Sequence, residues 1–260
     1  MNFGKRTWVA IALISALAQF GAPGIAWSQE KSVAEAKKAT EAAKAQADKA
    51  AAVAATPPAK PAAKLNYLPP GKGVPIRREG GATRGGDLRE LALSVVTPEH
   101  VGWSSTAQPE LYWFVSRPVT NTVMFTIIAA GGTAIDPLFE GMLAAPSRAG
   151  IHAVSLTNLK VMLEGNTDYE WSISLVGDPQ SRSRDILASG RIRNVPLSAE
   201  LKAGLAGAND DLRAERLAST GYWYDVVALL RKTAPASATE ISLYESAGLA
   251  RIAKFLKEGV

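Results

Sequence analysis

Between Leu91 and Val195, short runs of β-branched and aromatic residues recur between glycine, proline and asparagine turns. That rhythm fits a chain that folds into a sheet, not a bundle of helices. Seven segments read as strands: 91–96, 110–116, 122–128, 133–139, 150–156, 168–176 and 185–195. Val123, Phe125 and Ile127 alternate with other residues, as do Tyr169, Trp171, Ile173 and Leu175, so each set shares one face of its strand. The segment 133–139 carries Pro137 and is assigned to an edge.

Seven strands in about 105 residues predict a mainly β fold with added helix, an immunoglobulin/fibronectin III-like antiparallel β-sandwich over 91–195. In "LEGNTDYEW", Leu163 is followed by Thr167 and then Tyr169 at the start of a strand. This spacing is that of a tyrosine corner, in which the phenol hydroxyl bonds to backbone upstream. Trp113 falls where such sandwiches carry a core tryptophan. Trp113, Tyr169 and Trp171 are therefore read as packing residues, against the alternative of an aromatic platform for sugars.

The flanks differ in kind. Lys5 and Arg6 precede "TWVAIALISALAQF" and "GAPG", the layout of a secretory signal peptide over 1–28, cleaved before Gln29 or earlier, after Ala18. About 14 apolar residues fall short of the roughly 20 that a spanning helix needs, which favours cleavage over an uncleaved anchor. Residues 29–68 begin as an alanine and lysine helix without leucines and pass into "TPPAKPAAK". A segment polar all round reads as a solvated tether, with a weak coiled-coil stalk as the alternative. Residues 69–90 form a Gly/Arg arm with Arg77, Arg78 and Arg84.

Beyond Pro196 the pattern turns helical, and 196–260 is expected to cap the sandwich. Ser198, Asn209 and Ser237 stand as N-caps, the last in the capping box "SATE" before "ISLYESAGLARIAKFL", read as one helix. Trp223, Val227 and Leu230 share a helix face, and Leu249, Ile252 and Leu256 another, so these two helices are expected to pack as an antiparallel pair. "GYWYDVVALL" is similar to a tetratricopeptide helix, but a single hairpin makes no groove.

The pieces taken together, "VPIRREGGATRGG", "PELYWFVS", "LEGNTDYEWSISLVGDPQSRS", "GRIRNV", "WYDVVALLRKTAP" and "SAGLARIAKFL", resemble bacterial proteins grouped as domain of unknown function 928. The resemblance spans about residues 68–257 and implies an exported protein with a β-rich domain and a helical tail. It carries over no catalytic residue.

Little in the chain points to catalysis. There is no cysteine, hence no disulfide, thiol nucleophile or thiolate metal site. The two histidines, His100 and His152, are not at ligand spacing, and no nucleophile elbow accompanies them. Asp136, Glu140, Glu164, Asp178 and Asp185 lie near turns without forming a marked pair. The arm matches neither phosphate-loop nor dinucleotide spacing. No cofactor is expected, and with Lys5 and Arg6 removed the net charge of +5 falls to about +3, too modest to imply nucleic acid. Two readings remain for the arginines: an arm pinned to internal carboxylates, or a basic patch joined by Arg182, Arg184, Arg191 and Arg193 that receives an anionic envelope polymer. The expected partner is another envelope protein or a cell-wall polymer, with membrane contact only during export. The leading expectation is a non-enzymatic exported protein of the periplasm or envelope.

Overall fold

A computed structural model describes residues 64–71, 77–81, 91–131, 136–178, 180, 183 and 185–259, all within one compact unit, Pro61–Val260. The segment expected to be a signal peptide, the expected tether up to residue 63, and Arg84, Arg182 and Arg184 lie outside the described residues. Nine strands precede five helices among those described: β1 Glu79–Gly81, β2 Ala92–Val95, β3 Gly102–Ser104, β4 Glu110–Val115, β5 Val123–Ala129, β6 Phe139–Leu143, β7 Gly150–Ser155, β8 Asp168–Leu175 and β9 Ile186–Asn194. The helices are α1 Ala199–Leu205, α2 Asp210–Ser219, α3 Trp223–Thr233, α4 Ala238–Ser246 and α5 Ala250–Glu258.

The strands form two sheets, one ordered β1-β2-β4-β7 and the other β3-β9-β8-β5-β6. All strand pairings are antiparallel except β3 with β9, where the chain leaves β2 in the first sheet, bends at Val96 and again at Glu99 and His100, and joins the edge of the second. Side-chain patterns show how each sheet is covered. In β5 and β8 buried and half-exposed residues alternate, so one face is packed and the other wet. In β4, "ELYWFV", every residue after Glu110 is buried, which requires cover on both faces. Phe114 meets Phe255 of α5 edge to face at 4.9 Å, while Leu111, Trp113 and Val115 turn the other way. α5 thus packs on the first sheet, while α3 packs on β3 of the second and also touches β4.

The helix caps form as the sequence predicts: Ser198, Asn209 and Ser237 accept from the backbone N–H groups of Leu201, Leu212 and Glu240. The capping box closes one residue early, because the Glu240 carboxylate accepts from Ala236 N–H at 2.6 Å instead of returning to Ser237. Three expectations need correction. The helix expected from Ile241 to Leu256 is two helices, broken at Gly248, whose φ of +74° lies in the left-handed region where a side chain is strained. The helices that pack most closely are consequently α2 with α3 and α4 with α5, in place of the expected pairing of the Trp223 and Leu249 helices. The fourth strand begins after Pro137, at Phe139, and takes the edge beside β5.

The N-terminal boundary also moves. Leu65 and Tyr67, which the composition assigns to the tether, are 4% and 5% exposed and belong to the core. Leu68 N–H donates to Ala218 C=O at 3.1 Å and Tyr67 N–H to Ser246 Oγ at 3.3 Å, so residues 65–70 run as a strap across both helix pairs. The arm contributes β1, paired antiparallel with β2. Gly80 has a steric reason: a Cβ there would stand 2.6 Å from Leu187 O and 2.7 Å from Ile186 Cγ2, so glycine lets β1 pass this close to β9.

Candidate functional site

Of the arginines expected to form a patch, Arg84, Arg182 and Arg184 lie outside the described residues, and three of the other four are held by carboxylates. Arg78 is consumed internally: one guanidinium nitrogen donates to Ala247 C=O at 2.8 Å and Thr97 C=O at 3.3 Å, the other to Glu99 at 2.6 Å. It ties the arm, the loop after β2 and the turn after α4. Arg77 is exposed and makes no ion pair among the described residues, while its carbonyl accepts from Ser189 N–H of β9 at 2.7 Å. The Arg78 carbonyl accepts from Val95 N–H of β2, so two successive residues of the arm bridge both sheets. Arg191 and Arg193 do not belong to a free basic surface either. The β8–β9 register sets Arg193 opposite Asp168 and Arg191 opposite Glu170, and the first pair is bidentate at 2.5 and 2.8 Å.

Trp113, Tyr169 and Trp171 are 2%, 4% and 0% exposed. Tyr169 Oη accepts from Glu164 N–H at 3.1 Å, a bond to backbone five residues upstream. Trp171 Nε1–H donates at 2.8 Å to the hydroxyl of Tyr224 from α3, which in turn donates to Arg191 C=O at 3.0 Å and bonds Thr97 Oγ1 at 3.1 Å. The neighbouring Trp223 donates to Val96 C=O at 2.9 Å. These two consecutive aromatics lock the helices onto the β layers. Sequence reasoning placed Trp223 on a buried face but gave Tyr224 no role, because its polar end finds its partners only across the layers.

The turn carboxylates hold turns. Asp178 accepts from Gln180 N–H, and Asp185 from Gly177 N–H and the Ser174 hydroxyl, closing the β8–β9 loop. No group of three or more His, Asp or Glu side chains among the described residues is placed to hold a metal. Glu240, fully buried, accepts from Tyr244 Oη at 2.6 Å and pairs with Arg231 at 3.4 Å. Asp225 accepts from Ser105 N–H at 2.8 Å and from the Ser105 hydroxyl, while burial pushes its carboxyl above the usual range.

One cleft brings polar side chains together at a surface. Its volume is about 330 Å³, and it is lined by Tyr67 and Pro69 of the strap, Pro98, Glu99 and His100 of the loop after β2, Glu245 and Ser246 at the end of α4, and Ala247 and Gly248 beyond it. His100 is 8% exposed, lies parallel to the Tyr67 ring at a centroid distance of 5.4 Å, and places Nε2 3.0 Å from Tyr67 Oη. Burial lowers its pKa, opposed by nearby Glu99, so the ring is neutral near pH 7. His152 stands elsewhere, against Trp113, with Nε2 3.1 Å from Arg148 O. The cleft escapes sequence reasoning because the strap that walls it comes from residues that look like linker.

No helix among the described residues is long and apolar enough to cross a membrane. The family model described as Domain of Unknown Function (DUF928) matches residues 79–255. No curated protein matches the chain. Among solved structures, that of astrotactin-2, described as a conserved vertebrate-specific and perforin-like membrane protein involved in neuronal development, is similar at 12% identity over 65% of this chain and 36% of that one. Its TM-score of 0.26 is too low for it to inform the fold or the function.

Proposed function

Because the chain belongs to the family described as Domain of Unknown Function (DUF928), whose description names no activity, we propose from its surface that it is an exported, non-enzymatic envelope protein that binds another protein. The observation that carries this reading is the outer end of the second sheet. Its order stops at β6, whose free edge has no strand partner among the described residues. Beside that edge Met142 is 75% exposed, Leu138 45% and Ile128 37%, and the register sets Met142 opposite Met124. Apolar side chains beside an open strand edge suit the addition of a partner's strand, with backbone bonds giving affinity and the side chains selectivity.

An immunoglobulin/fibronectin III-like sandwich is part of the same reading. Supporting it are the order β2-β4-β7 opposed to β9-β8-β5-β6, a tryptophan on β4, and the Tyr169 hydroxyl bound to backbone at the entrance to β8. The N-terminal residues 1–28 as a signal peptide, and those following as a spacer, would deliver the domain to the periplasm or envelope. A second reading, an anionic cell-wall glycan bound through the arm, rests among the described residues on the exposed, unpaired Arg77, since Arg78 is spent internally.

Retention assays separate the two. With the full chain immobilised, an envelope protein that is retained by the wild type and lost with Met142→Glu supports the first reading. Retention of purified cell wall that fades with salt and with Arg77→Ala, and is indifferent to Met142→Glu, would overturn it.

A further inference from the structure

We propose that the cleft between the strap, the loop after β2 and the turn after α4 binds a primary alkylammonium group. This goes beyond the reading of the β6 edge and does not depend on it.

The hydrogen-bond accounting decides the ligand's chemistry. Tyr67 Oη donates its proton to Gly221 C=O at 3.2 Å, so its contact with His100 at 3.0 Å requires the imidazole to donate. His100 is therefore the Nε2–H tautomer, and Nδ1 is a lone-pair acceptor without a protein partner on a ring more than nine-tenths buried. Ser246 Oγ donates to Leu243 C=O at 2.8 Å, so its proton is also spent. Every lining side chain able to donate has thus donated to the protein. What remains is the Nδ1 lone pair, one oxygen of Glu99 beyond its bond to Arg78, and one oxygen of Glu245 beyond its bond to Lys257 at 2.5 Å.

Lining side chains that offer only acceptors, two of them carboxylate oxygens, call for a ligand that donates. An ammonium presents three N–H donors and no acceptor, whereas a carboxylate or phosphate would meet lone pairs alone. Pro69 and Pro98 give the rim an apolar surface for a short alkyl stem, and about 330 Å³ is at the lower end of small-molecule sites. Arg78 holds Glu99 and Lys257 holds Glu245 without either cation lining the cleft, so each carboxylate is fixed with one oxygen still open to a donor.

The full chain, labelled with ¹⁵N in its histidines, is titrated with n-butylammonium, and with butyrate and n-butanol as charge-inverted and neutral comparators. The expected result is a movement of the His100 Nδ1 resonance with butylammonium alone, the His152 resonances staying fixed. Calorimetry is expected to show affinity falling about tenfold or more in Glu99→Gln and in Glu245→Gln, the loss of one charge-assisted bond each. Glu245 is half exposed, so its variant keeps the test open if Glu99→Gln unsettles Arg78. Nα-acetyl-lysine amide binding alongside butylammonium assigns the source to protein lysines, and butylammonium binding alone to free amines; both sustain the site. A His100 Nδ1 resonance that stays still, or moves equally with butyrate or butanol, overturns the proposal, as does unchanged affinity in both variants.

Discussion

Replacing Tyr224 with phenylalanine tests how the helical layer is held. The hydroxyl is saturated, accepting from Trp171 and bonding Thr97 and Arg191, and the tyrosine is 1% exposed. In Tyr224→Phe the indole N–H of Trp171, itself 0% exposed, has no other acceptor and no route to water. An orphaned buried donor costs roughly 1–3 kcal/mol, and each lost neutral bond about 1 kcal/mol, so a total near 3 kcal/mol is expected. For a domain of this size that lowers Tm by roughly 6–12 °C. Urea denaturation followed by near-ultraviolet and far-ultraviolet circular dichroism should show the midpoint fall with the slope unchanged and both signals coincident. Adding Trp171→Phe removes the orphan, and in that background Tyr224→Phe should cost about 1–2 kcal/mol less. A loss below about 1 kcal/mol in the wild-type background, or no coupling to Trp171, would refute the lock.

Gly80→Ala should cost about 1–3 kcal/mol, read as a lower Tm, because its Cβ meets the Leu187 carbonyl at 2.6 Å; an unchanged Tm would mean that β1 has room to shift. Tyr169→Phe removes the acceptor of Glu164 N–H and should lose about 1 kcal/mol in urea titration, and a loss under about 0.5 kcal/mol would discard the corner. Burial holds His100 and His152 below their ordinary pKa of 6.5, so the unfolded chain binds more protons in that range. Stability is then fully present above pH 6.5 and is lost as pH falls through the folded values. His100→Gln should flatten the decline in Tm below pH 6.5, and an identical pH profile would show that His100 contributes nothing to it.

What the sequence discloses is whatever depends on neighbours along the chain. Alternation in "VMFTII" and "DYEWSISL" locates β5 and β8, and the unbroken apolar run of β4 records cover on both faces. Ser198, Asn209 and Ser237 announce their helices because a cap acts within one turn. What it conceals depends on distant partners. β1 and β3 are three residues each and exist only by pairing with β2 and β9. The break at Gly248 is hidden because Ile241 and Leu249 stand eight residues apart and Leu249 and Ile252 three, a helical spacing that runs across it. Arg191 and Arg193 look free until the register puts Glu170 and Asp168 opposite them. The cleft is the extreme case, since His100 is buried by a tyrosine from a segment whose composition says linker.

The strap has a bearing on the order in which the protein can fold. Tyr67 is joined to Gly221 and to Ser246, partners 154 and 179 residues further along the chain. A polypeptide that emerges amino end first, from a ribosome or through a translocation pore, exposes its strap long before those partners exist. Closure waits on the last two helices, so a chain truncated before α4 leaves Tyr67 and His100 open to solvent. Contacts of such separation make for slow folding and a long interval of exposed apolar surface. Arrival of the carboxyl end, not of the β strands, is therefore the event that completes the molecule.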